Sequence, residues 1–127
     1  MATRVVARHY DRALASTGLT TNAYSLLSRL EREGAQTIGS LAAGLAMDRT
    51  TLSRELAPLV ERGLVDARPG ENDRRQRVVA VTKSGGRLVK RARPLWAKAQ
   101  EELTATFGAE RTEGFMSELH AFIGAAA

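Results

Sequence analysis

The chain has 127 residues, of which 19 are lysine or arginine and 14 are aspartate or glutamate, so its formal net charge is +5. It contains no cysteine, which excludes disulfides, thiolate-bound zinc and thiol-based redox sensing. No apolar run approaches the roughly 20 residues that a membrane-spanning helix needs, and no signal segment opens the chain, so we expect a cytoplasmic protein without a membrane partner. The basic balance favours an anionic partner without identifying it.

Two amphipathic helices are predicted at the N-terminal end. Between Arg4 and Ala15 the apolar residues recur at helical spacing, in the stripe Val6, Tyr10, Ala13 and Leu14. Ser16-Thr17-Gly18 ends this helix, either Thr20 or Thr21 can cap the next one, and Gly34 suits the position after its last turn. The second helix repeats its apolar residues at i, i+3, i+4 and i+7, in the stripe Ala23, Leu26, Leu27 and Leu30.

A short helix, a tight break and a further helix come next. The short helix is predicted to face inward with Ile38, Leu41, Ala42 and Leu45. The break runs through Ala46, Met47 and Asp48, and Asp48 is a good N-cap. The next helix is predicted to end at Gly63, to bend or loosen at Pro58, and to bury Leu52, Leu56, Leu59 and Val60. Two short helices joined in this way are typical of a helix-turn-helix.

Period-two alternation then replaces the helical period, which predicts a β-hairpin with strands Leu64–Arg68 and Gln76–Val81 and a polar loop, Pro69–Arg75. Thr82 is predicted to cap a long helix that kinks at Pro94 and breaks at Gly108. Its apolar seam is Leu88, Ala92, Leu95, Ala99 and Leu103, and a last helical stripe contains Phe115, Leu119, Phe122 and Ile123. The predicted fold class is mainly α with a small β-hairpin.

The residues that point to a function lie on the second helix of the helix-turn-helix and on the hairpin. The helix presents hydroxyls, methyl groups and forked cations, which base edges and phosphates require, at Arg49, Thr50, Thr51, Ser53 and Arg54. The hairpin carries Arg74, Arg75 and Arg77, with Asp73 placed to orient one guanidinium. A narrow minor groove attracts such an arginine. Each feature alone is also typical of a solvated surface, but their order along the chain favours a DNA-binding protein.

With these features the sequence resembles the MarR family of winged helix-turn-helix regulators over nearly its whole length. The resemblance is carried by Gly18-Leu19-Thr20, Ile38-Gly39-Ser40-Leu41-Ala42, residues 48–54 and 59–65, Asp73-Arg74-Arg75, and Val81-Thr82. It implies a DNA-binding winged helix at residues 19–82, flanked by N- and C-terminal dimerisation helices at residues 1–18 and 83–127. The implied partners are a second copy of the chain and a palindromic double-stranded operator.

The resemblance also implies roles for particular residues. Arg75 would enter the minor groove while Asp73 holds it, and the recognition helix would contact DNA through Arg49, Thr50, Thr51, Ser53 and Arg54. Many relatives are repressors that release DNA when a small aromatic or anionic ligand binds between the winged lobes and the dimerisation helices. The implied function is therefore a homodimeric transcriptional repressor with a small-molecule effector.

Several alternatives stay open at this point. A winged helix used only for protein interaction would have the same fold, although its exposed surface should then be apolar or acidic. The basic stripe of the long helix either adds phosphate contacts or forms a solvated face; its members are Lys83, Arg87, Lys90, Arg91, Arg93 and Lys98. Trp96 is interpreted as a core residue, and Gly85-Gly86 as close packing at a helix start.

No enzymatic or metal site is predicted. The serine, histidine and aspartate residues form no activating pair or nucleophile elbow. His9 and His120 lack partners at metal-ligand spacing. We therefore expect no cofactor, no metal and no catalytic residue.

Overall fold

The computed structural model describes residues 2–108, 110–111, 113–114 and 116–117. In chain order, the elements within residues 2–108 are α1 Ala2–Ala13, α2 Thr21–Glu33, β1 Gln36–Thr37, α3 Ile38–Leu45, α4 Arg49–Glu61, β2 Val65–Pro69, β3 Arg77–Val81 and α5 Lys83–Phe107. A 3-10 turn, Ala15–Thr17, links α1 to α2. This mainly helical architecture with a small sheet confirms the predicted fold class. The predicted last stripe (Phe115, Leu119, Phe122, Ile123) and His120 lie outside the described residues.

Helices α2 to α5 are each preceded by an N-cap residue whose side-chain oxygen accepts the backbone N–H of the residue three positions further on. This contact satisfies one of the amide donors that the first helical turn leaves without a partner. The oxygen-to-nitrogen distances are 3.0–3.1 Å, and the capping residues are Thr20, Thr37, Asp48 and Thr82. The caps at Thr20, Asp48 and Thr82 were predicted, whereas Thr37 was missed.

Helix α4 continues through Pro58 and ends with a left-handed glycine. Gly63 has φ +73°, and its N–H donates to the carbonyl of Val60 at 3.0 Å, while the N–H of Leu64 donates to that of Leu59 at 2.9 Å. This pair of bonds is the Schellman arrangement, which glycine adopts without a steric penalty. The sequence-based end at Gly63 is therefore confirmed.

The sheet has three antiparallel strands in the order β1-β3-β2. The predicted hairpin is present with its strands shifted by about one residue, and its register pairs Val65 with Val81 and Pro69 with Arg77. The third strand, β1, was not predicted; it pairs Gln36 with Val79. A two-residue strand has no periodicity of its own, so only its partner strand reveals it.

All five helices and the sheet contribute to one hydrophobic core. Fully buried side chains come from each predicted stripe within residues 2–108, among them Tyr10, Leu14, Leu26, Leu27, Leu30, Leu41 and Leu52. One prediction about this core was wrong. Val60 is 40% exposed, because Leu52, Leu56 and Leu59 already form the stripe that faces the neighbouring elements. On α5 the predicted Leu88 is half-buried against the core, and Val89, which was not predicted, is fully buried.

Trp96 packs inside this single chain. Its ring stacks on Tyr10 with centroids 3.9 Å apart and on Tyr24 with centroids 5.1 Å apart. Offset stacking of this kind adds to the gain from burial. The stack joins α1, α2 and α5, which confirms that Trp96 is a packing residue.

The Gly85-Gly86 pair marks a close approach at the start of α5. A Cβ at Gly85 would lie 2.2 Å from the carbonyl oxygen of Leu64 and 2.6 Å from Cγ2 of Val81, whereas nothing lies within 4 Å at Gly86. The first glycine therefore lets α5 begin directly against the base of the hairpin. The close-packing interpretation is confirmed for Gly85 only.

Candidate nucleic-acid interface

The start of α4 is fixed by a tight connection from α3. Ala46 adopts φ +53° and ψ +42°, and Met47, which is buried, donates its N–H to the carbonyl of Ala42 at 2.9 Å. Asp48 then caps α4: one carboxylate oxygen accepts the N–H of Thr51 at 3.0 Å and the other accepts its hydroxyl at 2.8 Å. These bonds to Thr51, with smaller effects of the Thr50 N–H and the Arg54 charge, lower the pKa of Asp48.

Four of the five predicted recognition positions on α4 are exposed: Arg49, Thr50, Ser53 and Arg54. Thr51 is half-buried, and its hydroxyl hydrogen is used by the Asp48 cap. The helical period alone puts Thr51 with the outward residues, because it does not show that the Thr51 hydroxyl lies within hydrogen-bond distance of the capping carboxylate. The exposed surface of α4 is therefore narrower than predicted.

Arg49 lies across the first turn of α3. A Cβ at Gly39 would be 2.9 Å from Nη2 of Arg49 and 3.2 Å from its Cζ, so the guanidinium occupies the space that a side chain at position 39 would fill. This contact aligns the N-terminal ends of α3 and α4. Gly39 is not a specific sign of this contact in the sequence, because α3 also contains Ser40 and Gly44, which are poor helix formers as well.

The wing loop between β2 and β3 is closed by its own backbone. The N–H of Gly70 donates to the carbonyl of Gln76 at 2.8 Å, and the N–H of Gln76 donates to the carbonyl of Asp73 at 3.1 Å. Within this loop, Oδ1 of Asp73 accepts the backbone N–H of Arg75 at 3.0 Å and its Nε–H at 3.3 Å. The Arg75 side chain is nevertheless 93% exposed, so Asp73 orients the guanidinium without covering it.

The other two wing arginines, Arg74 and Arg77, are also exposed. Among the described residues, neither side chain makes a hydrogen bond or a salt bridge to the rest of the chain. Their donors therefore point into solvent, where an anionic partner can reach them.

A groove of about 490 Å³ separates the wing from the recognition helix. Its lining combines residues of three segments that are distant in sequence: Thr37, Ile38, Gly39, Arg49, Ser53, Asp73, Arg75, Gln76 and Arg77. Three guanidinium groups and one carboxylate give this surface a positive charge. Of the predicted site residues, the groove brings together Arg49, Ser53, Asp73, Arg75 and Arg77, and it leaves Thr50, Thr51, Arg54 and Arg74 outside its lining.

The described residues form neither a metal site nor a membrane-spanning helix. Among the residues that the structure describes, no three histidine, aspartate or glutamate side chains lie close enough together to hold a metal ion. In the same part of the chain, no helix combines the length and the apolar character that crossing a bilayer requires. His9 donates one hydrogen bond within the fold, from its Nε2–H to the carbonyl of Ala99 at 3.0 Å.

Comparisons with known proteins agree with this geometry. Residues 17–76 match the sequence profile of the MarR family. The transcriptional regulator MosR of Mycobacterium tuberculosis, solved in complex with DNA, is 33% identical over 98% of this chain and 92% of that chain, with a TM-score of 0.80. A mutant of MarR from E. coli, complexed with operator DNA, shares the fold with a TM-score of 0.81 and 24% identity over 94% and 86% of the two chains.

A curated relative is also similar over part of its length. An uncharacterized HTH-type transcriptional regulator of Mycobacterium leprae is 42% identical over 69 residues, which are 54% of this chain and 48% of that protein. Two further mycobacterial regulators are matched over 54% of their own length. The chain thus spans about half the length of these curated relatives.

Proposed function

The chain belongs to the MarR family of transcriptional regulators, and from this premise we propose that it binds double-stranded DNA sequence-specifically, as a homodimer, in the cytoplasm. The observation that carries the proposal is the groove between α4 and the wing, where Arg75, held by Asp73, stands almost fully exposed beside Arg49 and Arg77. An exposed surface of this composition suits the acidic DNA backbone and the acceptors of base edges. It does not suit an apolar or basic protein partner.

The two sides of this groove have different proposed roles. The exposed residues of α4 enter the major groove, and the wing places Arg75 in the adjacent minor groove, whose narrow form concentrates negative potential. The proposed contact residues on α4 are Arg49, Thr50, Thr51, Ser53 and Arg54, with Thr51 acting through its methyl group and its free lone pair. On the wing they are Arg74, Arg75 and Arg77, with Asp73 as the residue that orients Arg75.

The proposed dimer joins two copies through residues 1–18 and 83–127, and residues 19–82 form the DNA-reading lobe. Val5 on α1 supports this division, because it is 60% exposed and an apolar side chain on the outer face of α1 is covered when a second copy packs there. A two-fold dimer places its recognition helices in successive major grooves, about 34 Å apart. The operator should therefore be an inverted repeat with half-sites about one helical turn apart.

We extend the proposal to repression that a small aromatic or anionic molecule relieves. This part rests on family membership alone. Its test is whether candidate aromatic acids lower the affinity of the protein for its selected operator while leaving non-specific DNA binding unchanged.

The central experiment is selection of duplexes from a random pool with the full chain, followed by binding titrations at several salt concentrations. We expect an inverted repeat and an affinity that falls steeply as salt rises, because each bound phosphate releases counterions. Exchanging Arg54 for Gln should change which bases are preferred, whereas a uniform loss would assign Arg54 to phosphate contacts. If neither selected nor random duplex is bound at low salt, the chain is instead a winged helix used for protein interaction.

A further inference from the structure

The connection between α1 and α2 is held by two arginines from distant parts of the chain. Nη2 of Arg91 donates to the carbonyl of Ser16 at 2.6 Å. Nη2 and Nη1 of Arg62 donate to the next two carbonyls, of Thr17 at 3.3 Å and Gly18 at 3.1 Å. We call these two arginines and their three carbonyl acceptors the arginine clamp.

The turn that receives the clamp is itself rigid. The hydroxyl of Thr17 donates to the carbonyl of Leu14 at 2.5 Å and accepts the N–H of Leu19 at 3.2 Å, and Thr17 is buried. These bonds leave the carbonyls of Ser16, Thr17 and Gly18 directed away from the turn. The two arginines of the clamp therefore donate to carbonyls of a turn that has hydrogen bonds of its own.

Each clamp arginine is rigidly attached to its own helix. Arg62 is the C-cap of α4, and its backbone N–H donates to the carbonyl of Pro58 at 3.0 Å. Arg91 lies in the middle of α5, directly before Ala92, which is fully buried. The clamp thus joins the far end of the recognition helix to α5 through the turn that follows α1.

We infer that Arg62 and Arg91 are positioning residues that set the orientation of α4 relative to α1 and α5, and so the distance between the two DNA-reading surfaces of a dimer. This inference rests on the proposed function, because it requires a dimer that binds two half-sites. In this inference Arg62 and Arg91 do not contact DNA themselves. They determine the position of Arg49, Ser53 and Arg54 relative to the DNA.

The length of α4 makes this orientation consequential. Its 13 residues span about 20 Å, so a tilt of about 5° at the Arg62 end moves the Arg49 end by about 2 Å. A hydrogen bond to a base edge tolerates only a few tenths of an ångström. Because both protomers tilt, the error in the spacing of the half-sites doubles.

The clamp contributes more to orientation than to folding. The bonds of Arg62 to Gly18 and of Arg91 to Ser16 are exposed, and water replaces such bonds at little cost when they are lost. The hydrophobic contacts of Leu52, Leu56 and Leu59 keep α4 folded in either case. Loss of the clamp should therefore leave a folded protein whose reading surfaces are less well fixed.

Arginine is required because two different nitrogens of Arg62 reach two different carbonyls. The planar guanidinium holds its donors in a fixed fork, whereas the ammonium of lysine is a single point donor. A Cβ at Gly18 would also lie 3.3 Å from Nη2 of Arg62, so this guanidinium lies against the bare backbone of the turn. Arg62→Lys keeps the charge and removes the fork, whereas Arg91 donates through one nitrogen only, so Arg91→Ala is used to remove its bond.

The test uses the full chain and three duplexes: the operator selected by the wild-type protein, and two derivatives whose central spacer is one base pair longer or shorter. We expect wild type to prefer the parent operator by about 30-fold, and the two variants to prefer it by about threefold or less, mainly through weaker binding of the parent. The double variant should be no worse than either single one, because both arginines hold the same turn. Arg32→Lys, on the exposed side of α2 and outside the proposed dimer and DNA contacts, is the matched control and should keep the wild-type spacing preference.

The outcomes separate the clamp from the proposed function. If the wild-type protein selects no duplex, the proposed function is wrong, and the positioning role of the clamp is wrong as well. If wild type binds as proposed and the variants lose affinity equally for all three duplexes, or lose none, the positioning role is overturned. Thermal unfolding of each variant is measured beside it, and an unfolding midpoint close to that of wild type shows that a changed spacing preference comes from orientation.

Discussion

The arginines of the wing and those of α5 use the same side chain for opposite purposes. In the wing, Arg75 is 93% exposed, and the one acid that contacts it, Asp73, lies within the same loop. On α5, Arg91 donates to the carbonyl of Ser16 and Arg93 to Glu31 at 2.6 Å, so both arginines hold the fold together. Positive charge in a sequence therefore does not by itself separate an arginine that links distant elements, such as Arg91, from one that stays exposed, such as Arg75.

Glu31 on α2 shows that Arg93 of α5 is bonded within the fold. Its Oε1 accepts the bond from Arg93, and its Oε2 is buried without a hydrogen-bond partner among the described residues. The hydrogen bond and the charge of Glu31 raise the pKa of Arg93. Of the two alternatives for the basic stripe of α5, the structure thus gives Arg91 and Arg93 a third role, as links between helices.

The largest expected effect is a loss of operator affinity in a variant of the wing, and it tests the difference between the wing arginines and those of α5. Arg75→Ala should weaken binding of the selected operator by about 100-fold, because the proposed dimer would lose both of its proposed minor-groove arginines and each such contact contributes about 1–3 kcal/mol. The measurement is fluorescence anisotropy at a fixed salt concentration. Since the side chain is exposed, thermal unfolding should be unchanged. An affinity within twofold of wild type would contradict the wing assignment.

A second variant of the wing tests contact with phosphate rather than with bases. Arg74→Gln should weaken binding by about tenfold at moderate salt and make the slope of log K against log salt shallower by about two, one for each protomer. Titrations at four or more salt concentrations give the slope. If the slope stays the same while affinity falls, Arg74 contacts a base edge or acts through the loop.

Two glycines of α3 provide a matched pair that tests the Arg49 side of the groove. A Cβ at Gly39 would be 2.9 Å from Nη2 of Arg49, and a Cβ at Gly44 would be 2.7 Å from Nη2 of Arg29, which pairs with Glu33. Both alanine variants displace the end of a flexible side chain and should stabilise the helix by about 0.5–1 kcal/mol.

Only Gly39→Ala should affect DNA binding, by about fivefold, because Arg49 faces the groove and a shifted contact in each protomer of the proposed dimer costs about 0.5 kcal/mol. Anisotropy titrations and chemical denaturation of both variants are compared. Equal losses of affinity would show that α3 itself, and not Arg49, carries the effect.

The smallest expected effect on DNA binding comes from α5. Arg93→Gln should change operator affinity by less than about twofold and should lower the free energy of unfolding by up to about 1 kcal/mol, since the pair with Glu31 is partly exposed. The same measurement on Glu31→Gln and on the double variant gives the coupling between the two residues. A tenfold loss of affinity in Arg93→Gln would remove the distinction between the two groups of arginines.

Much of the fold follows from local rules that the sequence displays. The caps at Thr20, Asp48 and Thr82, the glycine that ends α4 and both hairpin strands were predicted to within about one residue, because each depends on neighbours a few positions away. The family resemblance rested on the same segments. Most candidate residues on α4 and on the wing are exposed, as the helical period and the turn predict, although Thr51 and Asp73 are half-buried.

Other features depended on residues that are distant along the chain. Strand β1 exists because β3 pairs with it, and Val60 is exposed because the packing of α4 already uses its three leucines. The acceptors of Arg91 and Arg93 lie 75 and 62 positions away, so no local pattern could show that these two cations are bonded internally.

The sequence by itself determined where the helices, the hairpin and the basic residues lie, because hydrophobic period and capping chemistry act over a few residues. Only the tertiary structure decided which arginines remain available to a partner. That outcome depends on whether packing brings a carbonyl or a carboxylate to within hydrogen-bond distance of each guanidinium.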